Sequence, residues 1–464
     1  MVHLPRIMLA APSSGSGKTM ITCGILQALM DRGLSPASFK CGPDYIDPMF
    51  HTKVIGAKSR NLDTFFTDPK LTRYLFAKTA SQSGIAVLEG VMGMYDGLGG
   101  VSASASSYEL AAVTDTPVIL VVNAKGMSLS AVPLIQGYID YQKKLGKQVI
   151  RGVILNQTTK MTYQMLKPVI EEQTGTRLYG YVPRLPECAI ESRHLGLVLP
   201  DEIGGLKQTL GRLGRALEEC LDLDGMTALA EEAPDYGEEE TKMPPQIERF
   251  AGIGNGVRIA VAMDEAFCFY YEDNLELLEL LGARIEPFSP LHDGRLPEGA
   301  GGLILGGGYP ELYAEGLSAN KNMISQIRTA VGQNMPYLAE CGGFMYLHEE
   351  MEDMDGISWP MCGCIKGRSF KTPKLGRFGY ITLRAKEEKE QLLLKGEEIR
   401  GHEFHYFDST QPGEDFTAEK PAGRRHWDCI HAGRTSAAGY PHLYYWSNVN
   451  FAARFVQSAA EYKS

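Results

Sequence analysis

The sequence predicts an α/β protein of two domains, each built on a mostly parallel central sheet. Three observations carry that prediction. At 464 residues the chain is too long for one ordinary core and long enough for two domains of about 200 residues each. Short β-branched runs alternate with longer helical patterns, the rhythm of a parallel sheet covered on both faces. One acidic, proline-bearing stretch interrupts that rhythm, which then resumes.

The first strand is expected at IMLAA, and GSGK follows it too soon for a signal-peptide cleavage region. A helix is expected from about 18 to 32. Buried strands follow at IAVLEG (85–90), PVILVVNA (117–124) and VIRGVILNQT (149–158), separated by helical patterns near 104–113, 129–145 and 161–174. Residues 222–248 then carry nine Asp/Glu against one lysine and a Pro-Pro pair at 244–245, which reads as a solvated linker. After it come VRIAVAMDE (257–265), a helix near 272–281, ARIEPFSP, GGLILGG (301–307), a helix near 320–331 and PYLAEC, with a mixed extension of the sheet expected after 360. The expected boundaries are a first domain over 1–221, a linker over 222–255 and a second domain over 256–464.

Composition narrows the function. Apolar residues make up 44% and charged residues 22%, a soluble α/β profile rather than a disordered or fibrous one. A net charge of −10 and the lack of a basic stripe argue against nucleic acid as a partner. No run of 18 apolar residues argues for a membrane span. Nine scattered cysteines fit a reducing cytoplasm better than a disulfide framework, and the CGC at 362–364 lacks metal-site spacing. Nothing in the sequence fixes the oligomeric state, and a homodimer stands open.

Two stretches carry chemistry. APSSGSGKT sets Gly15, Gly17, Lys18 and Thr19 between a strand and a helix. There backbone amides can curl around phosphate, Lys18 can reach the β/γ phosphates and Thr19 can ligate Mg²⁺. The match to GxxxxGK[ST] is imperfect, because Pro12 stands where the first glycine belongs. KCGPDYIDP (40–48) and LEGVMGMYDG (88–97) gather Asp44, Tyr45, Asp47, Glu89 and Asp96 at predicted carboxyl ends of strands, where α/β sites assemble and two carboxylates can complete a Mg²⁺ site. The run GLGGVSASASS (97–107) reads either as a substrate-facing loop or as a plain one. In the second half, YLAECGGFMYL (337–347) puts Cys341 on a strand-to-helix corner, exposed to attack a carbonyl and near a helix N-terminus that favours the thiolate. Gly307 and Gly308 of LILGGGYPE, with Gly342, are candidates for the oxyanion hole. For the base, the residues alone leave His402, His405 and His442 open and do not choose between His405 and His442.

In this order the P-loop variant, GPDYIDP, LEGVMGMYDG, ILGGGYPE, AECGGFMYL, RGHEFHY and YPHLYYW resemble the cobyrinic acid a,c-diamide synthase family, the amidotransferases of corrinoid (vitamin B12) biosynthesis. The resemblance covers nearly the whole chain. It implies a dethiobiotin synthetase-like domain that binds ATP and the macrocycle, and a class I glutamine amidotransferase-like domain that makes ammonia. Carried onto this sequence, it implies Cys341 as nucleophile and His442 as base, Lys18 and Thr19 in the nucleotide loop, Thr19, Asp47 and Glu89 around Mg²⁺, and Asp44, Tyr45 and Asp96 where the substrate carboxylate is activated. The reaction implied is ATP- and glutamine-dependent amidation through acyl phosphates, with ammonia passed internally along a shielded route. One departure matters: class I glutaminases place a Glu two residues after the His, and here Tyr444 stands there, leaving Glu403 as one candidate to orient the imidazole. Hydrogenobyrinic acid and nickel-sirohydrochlorin are alternative substrates of the same chemistry. A partitioning ATPase of the ParA type is a distant alternative that leaves the Cys341 half unexplained.

Overall fold

The computed structural model describes residues 1–188, 192–193, 196–197, 205–423 and 425–462. The chain divides into two compact units, Met1–Met243 and Pro244–Ser464.

The first unit is built on a seven-stranded, wholly parallel sheet. Its strands are β1 (Arg6–Ala10), β2 (Pro36–Cys41), β3 (Lys58–Leu62), β4 (Ile85–Glu89), β5 (Val118–Asn123), β6 (Ile150–Asn156) and β7 (Arg177–Val182), in the order β3-β2-β4-β1-β5-β6-β7. Burial on both faces explains the near-continuous apolar runs of β1, β4 and β5. Helix α1 (Lys18–Asp31) covers one face, and helix α2 (Leu206–Cys220) packs on it through Leu206, Leu210, Leu213 and Leu217. The three-to-four spacing of those leucines is a core-facing stripe. Gly24 of α1 permits the approach, since a Cβ there would lie 2.4 Å from Leu217 Cδ1.

The acidic segment differs from the expected linker. Leu223–Glu231 forms a helix, α3, capped by Asp222, whose Oδ1 accepts from Gly225 N at 2.9 Å. Leu223, Met226, Leu229 and Ala230 are buried, so an apolar stripe lies among the acids. The charges find partners as well: Asp222 pairs with Arg177 at 2.5 Å and Glu240 with Arg73 at 2.5 Å. Arg6, fully buried on β1, donates to Thr114 O (2.9 Å) and Pro234 O (2.7 Å), and its guanidinium lies 4.7 Å from the Tyr236 ring centre.

The second unit has a six-stranded sheet. Arg284–Phe288, Arg258–Ala262, Ala300–Leu305, Tyr337–Glu340 and Ser436–Gly439 run parallel in that order, and His431–Ala432 closes the edge antiparallel. These last two strands are the mixed extension expected after 360, and among the described residues the unit also holds two further sheets, one of four strands and one of five. In the five-stranded antiparallel sheet, Glu398–Phe404 lies between Phe378–Ala385 and His442–Leu443 and sets His402 opposite His442.

Candidate active sites

In the first unit β1 is flanked by β4 and β5, and the loops after β1, β2 and β4 meet at the carboxyl edge of the sheet. This is where open α/β sheets bind ligands. Gly15 and Gly17 adopt left-handed φ of 73° and 92°, so the loop after β1 curls in the way only glycine does cheaply. Gly17 is also hemmed in, since a Cβ there would lie 2.3 Å from Asn156 Nδ2, which donates to Ser16 O at 2.8 Å. Lys18 donates to Met92 O at 2.6 Å and Ser13 O at 3.4 Å, so its ammonium is parked beside the loop. Burial, then the positive charge of Lys40, brings Lys18 down to about 8.

Thr19 Oγ1 donates to Glu89 Oε1 at 2.6 Å and stands 3.4 Å from Asp47 Oδ2. Lys40 sits between the same two carboxylates, 2.5 Å from Asp47 Oδ2 and 2.7 Å from Glu89 Oε1. Lys40, Asp47 and Glu89 are all buried. Burial opposes the charges of Lys40 and Asp47, yet Asp47 and Glu89 hold Lys40 well above its usual range, and Lys40 with His51 keeps Asp47 below its own. Behind them His51 Nδ1 shares a hydrogen bond with Ser38 Oγ (2.8 Å), and its Nε2 faces Glu89 Oε2 at 3.8 Å. That Oε2 is buried without a hydrogen bond among the described residues.

The donor set fits magnesium brought in with a nucleotide: one hydroxyl, two carboxylates and a spare carboxylate oxygen, all hard oxygen ligands. Among the described residues no cluster of three or more His, Cys, Asp or Glu is arranged to hold a metal by itself. Magnesium bound through substrate phosphates needs only one or two protein carboxylates.

Asp44 stands just before the short helix Ile46–Phe50, its Oδ1 accepting from Ile46 N (2.9 Å) and Asp47 N (3.1 Å). Its Oδ2 is 4.0 Å from Lys40, and burial with repulsion from Asp47 lifts it to about 7. Tyr45 is buried beside it. Asp96 is exposed, and its carboxylate accepts from Gly93 N at 3.0 Å in a local turn. The structure thus brings Thr19, Asp44, Asp47 and Glu89 together and leaves Asp96 on the rim. Lys40 is the charge centre of the cluster, while His51 and Asn156 are not singled out by the sequence. Asn156 ends a strand, which is the one signal that could have flagged it.

In the second unit Cys341 sits on the corner between strand Tyr337–Glu340 and helix Gly342–Leu347, with φ 47° and ψ −104°. A non-glycine residue at positive φ is uncommon and marks strain held by its surroundings. Here Cys341 N donates to Gly439 O at 2.8 Å and Gly343 N to Gly306 O at 2.9 Å. Gly343 has no room for a side chain, because a Cβ would lie 2.0 Å from Leu305 O. The thiol differs from the expected thiolate: burial, then the negative charge of Glu311, pushes it up. Glu311 is itself lifted to about 7 by burial.

The candidate oxyanion glycines converge. Gly308 lies against Ala266, where a Cβ would come within 2.1 Å of the carbonyl oxygen, and a Cβ on Gly342 would be 3.3 Å from Gly308 N. The His442 ring rests on Gly307, with Cε1 2.4 Å and Nδ1 3.2 Å from where a Cβ would stand. Asn274 fixes the following segment by donating to Leu443 O (2.8 Å) and accepting from Tyr445 N (2.8 Å). His402 stacks on His442 at 4.9 Å. Burial, then the charge of His405, takes His442 down to about 3, so its imidazole is neutral near pH 7.

The histidines that the sequence left open differ in their surroundings. His442 rests on Gly307, one of the candidate oxyanion glycines. His405 stacks on Tyr440 (4.1 Å) and engages both ring nitrogens elsewhere, Nδ1 with Phe407 O at 2.5 Å and Nε2 with Glu403 Oε2 at 3.3 Å. Glu403 is committed too, since its Oε1 accepts from Trp427 Nε1 at 3.2 Å.

Two protein families match the two units. The CobQ/CobB/MinD/ParA nucleotide-binding domain matches residues 7–198, and the CobB/CobQ-like glutamine amidotransferase domain matches residues 258–449. Over nearly its full length the chain is similar to proteins named cobyrinate a,c-diamide synthase. That of Caldanaerobacter subterraneus subsp. tengcongensis is 37% identical over 98% of both chains. That of Listeria monocytogenes serotype 4b is 39% identical over 96% of this chain and 97% of its own. That of Thermoplasma volcanium is 36% identical over 99% of this chain and 98% of its own.

Proposed function

The chain belongs to the cobyrinate a,c-diamide synthase family, and from that premise we propose that it amidates the a and c carboxylates of cobyrinic acid, using ATP and glutamine, with the residue roles that follow. The observation that carries this reading is the pairing of a phosphate loop backed by an acid–lysine cluster with a strained cysteine corner, in one chain similar to these enzymes over nearly all its length.

At the glutaminase centre Cys341 Sγ attacks the glutamine amide carbonyl while neutral His442 takes the thiol proton. The amides of Gly308 and Gly342, and the turn at Gly307, face the oxyanion that forms. His442 returns the proton to the departing nitrogen, ammonia leaves, and water releases glutamate from the thioester. A thiol held neutral at rest is suited to this, because it ionises only as the bond forms.

At the nucleotide centre the Gly15–Gly17 loop cradles the phosphates and Lys18 swings from Met92 O to the transferred phosphoryl group. Thr19, Asp47 and Glu89 would hold Mg²⁺ arriving with the nucleotide, which supplies charge neutralisation to the phosphoryl oxygens. Asp44, Tyr45 and Asp96 receive the substrate carboxylate. Phosphorylation of that carboxylate gives an acyl phosphate, and ammonia displaces phosphate to leave the amide. Two rounds give the a,c-diamide, glutamate, ADP and phosphate.

The test is ADP release with Mg·ATP and cobyrinic acid, supplied with glutamine in one series and ammonium in another, with amides counted by mass spectrometry. Two added amides in both series support the reading. Glutamine hydrolysis without turnover of cobyrinic acid sends the assignment to hydrogenobyrinic acid or nickel-sirohydrochlorin. Loss of both reactions in a folded protein refutes it.

A further inference from the structure

We propose that Glu340, the residue immediately before the nucleophile, is the positioning carboxylate of His442: it orients the imidazole through Nδ1 and balances the charge that ring acquires when it takes the thiol proton. The proposal rests on the glutaminase reading of Cys341 and His442.

The place where a glutamate would ordinarily stand, two residues after His442, holds Tyr444, whose ring meets Tyr271 edge-on at 5.2 Å. Glu403 is engaged by His405 and Trp427. Glu340 Oε2, by contrast, stands 3.9 Å from His442 Nδ1, with the two side chains 13% and 3% exposed. The carboxylate is aimed rather than loose, since Tyr445 donates its hydroxyl to Oε1 at 3.1 Å, and Tyr445 N is itself held by Asn274. The ring is fixed from the other side by Gly307 and by the stacked His402. Glu340 lies on the Nδ1 side of the ring, and the thiol proton is assigned to Nε2.

Burial holds both groups neutral at rest. Burial lifts Glu340 to about 8 and lowers His442 to about 3, so near pH 7 a mostly protonated carboxyl faces a neutral imidazole. Catalytic hydrogen bonds of this kind tighten in the reacting complex. As the Sγ–C bond forms, the proton passes from Sγ to Nε2. The resulting imidazolium is held by the ionised carboxylate at Nδ1, and the proton later leaves on the departing nitrogen. Glu340 gains and loses no proton within that cycle. Active turnover therefore requires ionised Glu340, and the glutaminase rate rises with pH through the titration of this carboxyl. The other titratable groups facing the pair are His402 and His405 around the imidazole, and Tyr445, Tyr270 and Cys341 around the carboxylate.

The experiment compares E340Q, E340D and Y445F with the wild-type protein in glutamine-dependent and ammonium-dependent synthesis, with kcat and KM for glutamine resolved across pH 6–9.5. The expected result for E340Q is a fall of about 10²-fold in glutamine-dependent kcat, KM for glutamine within threefold, and ammonium-dependent activity within twofold. The alkaline rise in kcat disappears with it. E340D recovers at least tenfold of that loss, and Y445F shifts the rise without abolishing it. Glutamine-dependent kcat of E340Q within threefold of wild type, with the same pH rise, overturns the proposal. So does a loss carried entirely by KM, or one that E340D does not relieve. If E340Q does not fold, Y445F decides: an unshifted profile overturns the proposal. A wild-type protein that does not hydrolyse glutamine removes the function and this inference together, which distinguishes the two failures.

Discussion

Replacing Gly307 by alanine plants a methyl group 2.4 Å from His442 Cε1, 3.2 Å from Nδ1 and 3.3 Å from Phe269 Cβ. Carbon atoms rest at about 3.5–4.0 Å, so the imidazole must retreat by roughly 1.1–1.6 Å. It has little space to do so, with His402 stacked at 4.9 Å. Overpacking of this kind costs about 1–3 kcal/mol of stability. The backbone amide of Gly307 survives the change, so the perturbation falls on the base rather than on the oxyanion donors. A base misplaced by about 1 Å costs about 10²-fold in rate, equivalent to about 2.7 kcal/mol of transition-state stabilisation. The assay is steady-state synthesis with glutamine and, separately, with ammonium. Glutamine-dependent kcat should fall about 10²-fold while ammonium-dependent synthesis is retained. A folded Gly307→Ala protein whose glutamine-dependent rate stays within threefold of wild type would show that His442 is not the base, or that the ring moves without consequence.

Cys341→Ala should abolish glutamine-dependent synthesis and leave the ammonium-dependent reaction, as read by amide counting; loss of both would sink the division of labour. Lys18→Ala and Asp47→Asn should each lower both modes together, by about 10²-fold or more, because both touch the phosphoryl-transfer step; a selective effect on glutamine use would contradict their placement. Stability should depend on pH through Glu311 and Glu340. Their folded values of about 7 and about 8 lie above the ordinary 4.5, so the native state binds more protons than the unfolded one. Their contribution is full below about pH 4.5 and is lost as pH rises through 7 and 8. Above about pH 7, where the buried histidines are neutral in both states, the urea midpoint should fall less steeply with pH in Glu340→Gln than in the wild-type protein; an unchanged slope in that variant would refute the assignment.

The central strands of the first sheet are legible because buried parallel strands are written as short β-branched runs, as in IAVLE and VILVVN, whereas β3, KSRNL, carries no such run. The phosphate loop and the cysteine corner are legible because glycine is placed where the backbone must turn or approach closely, as at Gly17 and Gly343. The acidic segment after 222 misleads because its charge dominates its composition; the spacing of Leu223, Met226, Leu229 and Ala230 holds the opposite message. Which histidine ring rests on Gly307 is not legible in the sequence, since it depends on strand pairing between His402 and His442, far apart in the chain. His51 and Asn156 act from behind residues that are conspicuous; only the strand end marks Asn156, and nothing in its local sequence distinguishes His51 from an ordinary core polar group.

Arg6 gives the first unit a natural end point. Its guanidinium is sealed under Tyr236 and donates to the carbonyl of Pro234, so the residues just before the Pro-Pro pair are the lid over a buried cation at the sheet's own first strand. A fragment stopped at residue 221 would uncover that cation and remove one of its acceptors and its ring, leaving it only the carbonyls of Leu4, Thr114 and Asp115. For anyone dividing the gene, splicing in a label or exchanging glutaminase halves between relatives, the junction belongs between Met243 and Pro244, where the first unit has already closed over Arg6.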